Sequence, residues 1–143
     1  YKDHIISHLC HEATRFGAAV VIKDKEATTI IQSIMSGWIR FFGPPALIIA
    51  DGESGLDSEG CRRWLDRTGR QIKTKAPGEH AQMVERHHEL FRQTLRRVDD
   101  QLNEEGIKVQ VDVIVSEVMF AKNALPTIGR ETPYSAVLGR DRP

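Results

Sequence analysis

Apolar residues change their spacing along this chain, and each change marks a new element. Ile5 to Cys10 and Ala18 to Ile22 are apolar-rich runs of strand length. The link Glu12-Ala13-Thr14-Arg15-Phe16-Gly17 between them suits an antiparallel hairpin with a loose turn. The period then lengthens. Ala27, Ile30, Ile31, Ile34, Met35, Trp38, Ile39 and Phe42 recur at three- and four-residue steps, the apolar stripe of an amphipathic helix. Asp24 is the expected N-cap, and Gly43-Pro44-Pro45 the stop, because proline cannot continue a helix. Ala46 to Ala50 is a strand without a polar residue, so burial on both faces is expected, as in the middle of an α/β sheet.

Ser58 can cap a helix that turns Cys61, Trp64 and Leu65 inward and stops at Gly69. Gln71 to Thr74 is a short strand candidate, and positions 75–82, with Pro77 and Gly78, form a loop. From about Ala81 to Asn103, Val84, Phe91, Leu95, Val98 and Leu102 make a second helical stripe. A further helix, about Val109 to Asn123, precedes a Pro/Gly-rich ending. The order strand, strand, helix, strand, helix, strand, helix, helix predicts an α/β fold, one sheet covered on both faces.

Composition changes this picture little. A chain of 143 residues with 40 % hydrophobic content can bury one domain core. No run approaches the roughly 18 apolar residues of a membrane span, and the first residues do not form a signal peptide. Cys10 and Cys61 make neither a disulfide framework nor a zinc spacing, so free thiols are expected. The formal net charge is zero, but its distribution is uneven. Arg62, Arg63, Arg67, Arg70, Lys73 and Lys75 face only Asp66, a local excess of five positive charges (six less one). Such a run is a solvated helix face or a phosphate-binding surface.

Candidate chemistry centres on two acids. Asp51 ends the apolar strand, where open α/β sheets place their ligands, and Glu85 lies on the second striped helix. At about 100° per residue, Arg92 and Arg96 fall about 20° to either side of Glu85, so the three share one stripe. Val84 and Phe91 point about 100° away, towards the core. Two carboxylates meeting at one point can hold a divalent cation for phosphodiester chemistry.

Three fragments make this reading specific: Ala50-Asp51-Gly52-Glu53-Ser54, the loop Pro77-Gly78-Glu79-His80-Ala81-Gln82, and Met83-Val84-Glu85-Arg86-His87. Together they resemble the catalytic core of retroviral and retrotransposon integrases. Glu12-Ala13-Thr14-Arg15-Phe16, the helix from Lys25, Phe42-Gly43-Pro44-Pro45, and Thr132-Pro133-Tyr134-Ser135 with Gly139-Arg140 follow the same family order, so the resemblance spans nearly the whole chain. Each fragment is weak alone; their collinearity is strong.

The resemblance implies an RNase H-like fold, a mixed sheet with helices on both faces, over residues 1–143. It implies a D,D-E site in which Asp51 and Glu85 are the second and third acids and hold Mg²⁺ or Mn²⁺. The 33 residues between them (85 − 51 − 1) are slightly fewer than the family's usual interval. The activity implied is DNA 3′-end processing and strand transfer, with DNA and further copies of the chain as partners, in the nucleus. Arg92, Arg96 and His88 are the candidate DNA contacts. The alternatives are an inactive integrase-derived remnant that binds DNA or protein, and another RNase H-like transposase or nuclease.

The first acid departs from the pattern. Asp3 is the only acid ahead of the first strand, but it falls where a turn is expected. The family's first strand and first Asp are therefore expected upstream of Tyr1, in the middle of the sheet. Gly52 stands where the family commonly has Asn, and Met83 where it commonly has Gly. His8 and Cys10 share one strand face while His11 points away, which favours packing over metal binding. Trp38 and Trp64 are expected in the core, and Glu53 and Glu79 in solvated loops.

Overall fold

The first two apolar runs pair as expected. In a computed structural model that describes residues 1–50, 55–56, 58–74, 81–127 and 129–139, β1 (Ile5–Cys10) and β2 (Gly17–Ile22) form a two-stranded sheet. A link this short can only return the chain antiparallel. It is closed by the His11 N–H donating to the Phe16 carbonyl at 2.8 Å. A second sheet pairs β3 (Leu47–Ala50) with β4 (Gln71–Thr74) in parallel, Leu47 opposite Gln71 and Ala50 opposite Thr74. Between those strands runs α3 (Glu59–Arg67), the crossover that parallel pairing requires.

The chain divides into two compact units: Tyr1–Ser7 with Ile22–Glu85, and His8–Val21 with Arg86–Pro143. In the first, Thr29, Ile30, Ser33 and Ile34 of α1 (Ala27–Ile34) are buried, as are Cys61 and Leu65 of α3. The two helices approach closely at Gly60, where a Cβ would lie 2.8 Å from that of Ala27. Ser58 caps α3 as predicted, its side chain accepting from the Cys61 N–H.

The second unit buries Phe91 and Leu95 of α4 (Ala81–Glu104) and Ile114, Val115, Val118 and Met119 of α5 (Val111–Asn123). Asn123 joins α5 to the start of β2. Its Oδ1 accepts from the Gly17 N–H and its Nδ2 donates to the Gly17 carbonyl, both at 2.8 Å. Gly17 has room for no more, since a Cβ there would lie 3.1 Å from the Met119 sulfur.

Several expectations are corrected. Asp24 is not the N-cap of α1. Glu26 holds that position, and the Asp24 carboxylate accepts from the Glu26 N–H at 3.0 Å in a local turn. Bonds to Thr29 and Glu26 hold its pKa below the usual carboxylate value. The striped helix does not continue as one α-helix. Met35–Ile39 is a π-helical turn, followed by α2 (Arg40–Phe42). Met35, at the start of the π turn, is 43 % exposed, off the Thr29, Ile30, Ser33 and Ile34 face that α1 buries, and no residue of that turn is buried. Trp38 and Trp64 are half-buried rather than core; Trp38 packs on Phe42, and Trp64 lies under the Arg70 guanidinium at 4.9 Å.

The β3 strand is not buried on both faces. Leu47 is 45 % and Ile49 37 % exposed, so the face they share is not covered among the described residues, where β3 pairs with β4. The chain's ending also holds a short helix the patterning misses, α6 (Pro133–Leu138). Thr132 and Ser135 close it with a reciprocal capping box, and Pro133 sits in its first turn.

Candidate active site

The 24-residue helix α4 carries most of the candidate residues. Glu85, Arg92 and Arg96 are all exposed, as their shared stripe predicts, while Phe91 and Leu95 are buried. The arginines stand about 10 and 16 Å along the helix from Glu85. The Glu85 carboxylate has no ion pair among the described residues, whereas Arg92 approaches Glu89 at 3.9 Å. Asp51 lies outside the described residues, as do Glu53 and Glu79. Asp3 occupies an exposed left-handed turn (φ 60°) ahead of β1, not a strand.

His88 is half-buried, and its Nδ1 lies 2.7 Å from the Nδ1 of His8 on β1. The rings meet edge-to-face at 4.5 Å, and the His8 ring also lies 5.2 Å from Phe91. The packing role expected of His8 is thus joined by a specific hydrogen bond. Burial, reinforced by the charges of His88 and Lys122, takes His8 from the usual 6.5 to about 2. Burial likewise takes His87 to about 4, with Lys122 and Arg15 adding to the effect.

Lys122 is the functional-looking residue that sequence reasoning missed. It is 8 % exposed, and its Nζ is buried without a hydrogen-bond partner. Burial lowers its pKa, against the opposing pull of Cys10, whose thiol burial pushes up. One signal was legible: Lys122 continues the stripe of Val115, Val118 and Met119, a cation on an apolar face.

Among the described residues no group of three or more His, Cys, Asp or Glu converges. Glu85 is an exposed carboxylate, a hard-oxygen donor of the kind divalent cations take.

Comparison with solved structures decides the fold. The catalytic core domain of BIV integrase superposes with a TM-score of 0.76 at 18 % identity, covering 95 % of this chain and 86 % of that one. The HTLV-2 integrase catalytic core domain, solved with magnesium in a trimeric form, gives 0.69 at 13 % identity over 92 % and 91 %. The chain has the fold of a retroviral integrase catalytic core. This RNase H-like architecture is the one the motif order implied. No protein-family profile matches the sequence. A curated relative, GTPase Der of Stenotrophomonas maltophilia, is 24 % identical over 122 residues, 85 % of this chain. The chain spans about a quarter of that protein's length (25 %).

Proposed function

We propose that the chain is the catalytic core of a retroelement integrase, which trims DNA 3′ ends and joins them to target DNA. The carrying observation is that a chain with the integrase-core fold exposes Glu85 near the start of α4, in line with Arg92 and Arg96. In this reading Asp51 and Glu85 hold Mg²⁺ or Mn²⁺, and Arg92, Arg96 and His88 contact DNA phosphates. His88 has spent its Nδ1 on His8, so its contact would run through the other face of the ring. The HTLV-2 neighbour was solved with magnesium and as a trimer, which supports a cation at this acid and assembly of further copies. On this reading, work on chromosomal DNA would put the protein in the nucleus.

The residues divide the work by chemistry. Carboxylates are hard-oxygen ligands, suited to cations that retain open positions for water and phosphate oxygen. Bound there, the cation supplies Lewis-acid activation of the attacking oxygen and charge relief at the leaving one. The arginines hold the backbone in register without reading sequence.

Calorimetric titration with Mn²⁺, run beside a strand-transfer assay on a labelled oligonucleotide duplex, tests this. Wild-type protein should bind the ion and join strands, and Asp51→Asn or Glu85→Gln should abolish both. DNA binding with no carboxylate-dependent ion binding would replace this reading with the inactive remnant.

A further inference from the structure

Glu85 stands on a stretch of α4 without a fully buried side chain among the described residues. From Gln82 to Leu90 no residue of the helix is buried, and the first that is, Phe91, lies six positions past the acid (91 − 85). Within that stretch His88 reaches across to β1, its Nδ1 bonded to that of His8 at 2.7 Å. His88 is three positions after Glu85, on the same helical turn.

We propose that His8 is a positioning residue for Glu85, tying the acid's turn of α4 to strand β1 through His88. This role rests on reading Glu85 as a metal ligand. A ligand must be held to within about 0.5 Å by neighbours whose own conformations are locked, and the ends of helices fray. His8 supplies the lock in two ways. Its ring is itself held between His88 and Phe91, at centroid distances of 4.5 and 5.2 Å. Its Nδ1 then fixes the His88 ring by a directional bond.

That bond needs one proton between two nitrogens. One ring must carry hydrogen on Nδ1 while the other presents a lone pair. An apolar side chain at position 8 can fill the space but leaves the His88 Nδ1 without this partner. Asparagine, by contrast, carries amide oxygen and nitrogen at the same distance from the backbone as Nδ1, and can replace it. A space-filling role and a positioning role therefore separate cleanly: leucine satisfies only the first.

The test compares wild type, His8→Leu and His8→Asn by Mn²⁺ titration and by amide hydrogen exchange over positions 82–88. His8→Leu should weaken Mn²⁺ binding about tenfold, as loss of a residue supporting a metal ligand does, and should speed exchange in those turns. His8→Asn should recover both. Wild-type affinity and exchange in His8→Leu, or equal loss in both variants, would overturn the role. Nitrogen-15 spectroscopy of the wild-type protein supplies a check that needs no variant. A coupling across the hydrogen bond between the two Nδ1 atoms supports the tether, and its absence overturns it. If wild type shows no Glu85-dependent Mn²⁺ binding, the metal reading falls and this role falls with it. If wild type binds and His8→Leu binds equally well, only the positioning role fails.

Discussion

At the scale of single residues, this protein buries unusual polar groups in the unit that contains most of α4. His8 is held neutral there, with a pKa of about 2 against the usual 6.5. The unfolded chain takes up a proton on His8 below about pH 6.5 while the folded chain does not until near 2, so stability is lost as pH falls through that window. At 1.36 kcal/mol per unit, moving from pH 6.5 to 5 should cost roughly 2 kcal/mol from this group alone. Urea denaturation at the two pH values measures it, and His8→Asn should show a shallower loss. Asn123 illustrates the same economy, one side chain satisfying both backbone groups of Gly17. None of these pairings is local: His8 and His88 are 80 positions apart, Gly17 and Asn123 106.

At the scale of elements, α4 carries most of the proposed site, with one face in the core and Glu85, Arg92 and Arg96 exposed. Cations facing a phosphate backbone bind by releasing counterions, which leaves a salt signature. Arg92→Ala and Arg96→Ala should each reduce the slope of log affinity against log salt by about 0.9, equally for duplexes of unrelated sequence. An unchanged slope would remove that arginine from the interface. The basic run at α3 and β4 is a weaker candidate. Arg63 is paired with Glu59 on the same helix, and Arg70 is laid over Trp64.

At the scale of the whole molecule, the exposed apolar pair Leu47 and Ile49 on β3 bears on association. Exposed apolar side chains such as these favour burial against another chain, and a charge placed among them opposes it. Leu47→Lys, set opposite neutral Gln71, should therefore lower self-association in sedimentation velocity while leaving the thermal midpoint nearly unchanged. Equal sedimentation of the two proteins would show that Leu47 takes no part. No described helix is long and apolar enough to cross a membrane.

Periodicity and local chemistry were enough, by themselves, to define most elements of this protein, though not α6 or the π turn. Strand alternation, the helical stripes, the Ser58 cap and the Gly43 and Gly69 stops are all short-range, and β1, β4 and α4 fall where they predict. The exposed Glu85, Arg92 and Arg96 stripe was legible for the same reason, since helix geometry alone sets which residues share a face. Tertiary structure decided the rest. The π turn at Met35–Ile39 depends on what the helix packs against, and the exposure of Leu47 and Ile49 on what covers their face of β3. The His8–His88 bond and the burial of Lys122 arise because folding brings distant segments into a dry interior, where a polar atom must find whatever partner the fold supplies.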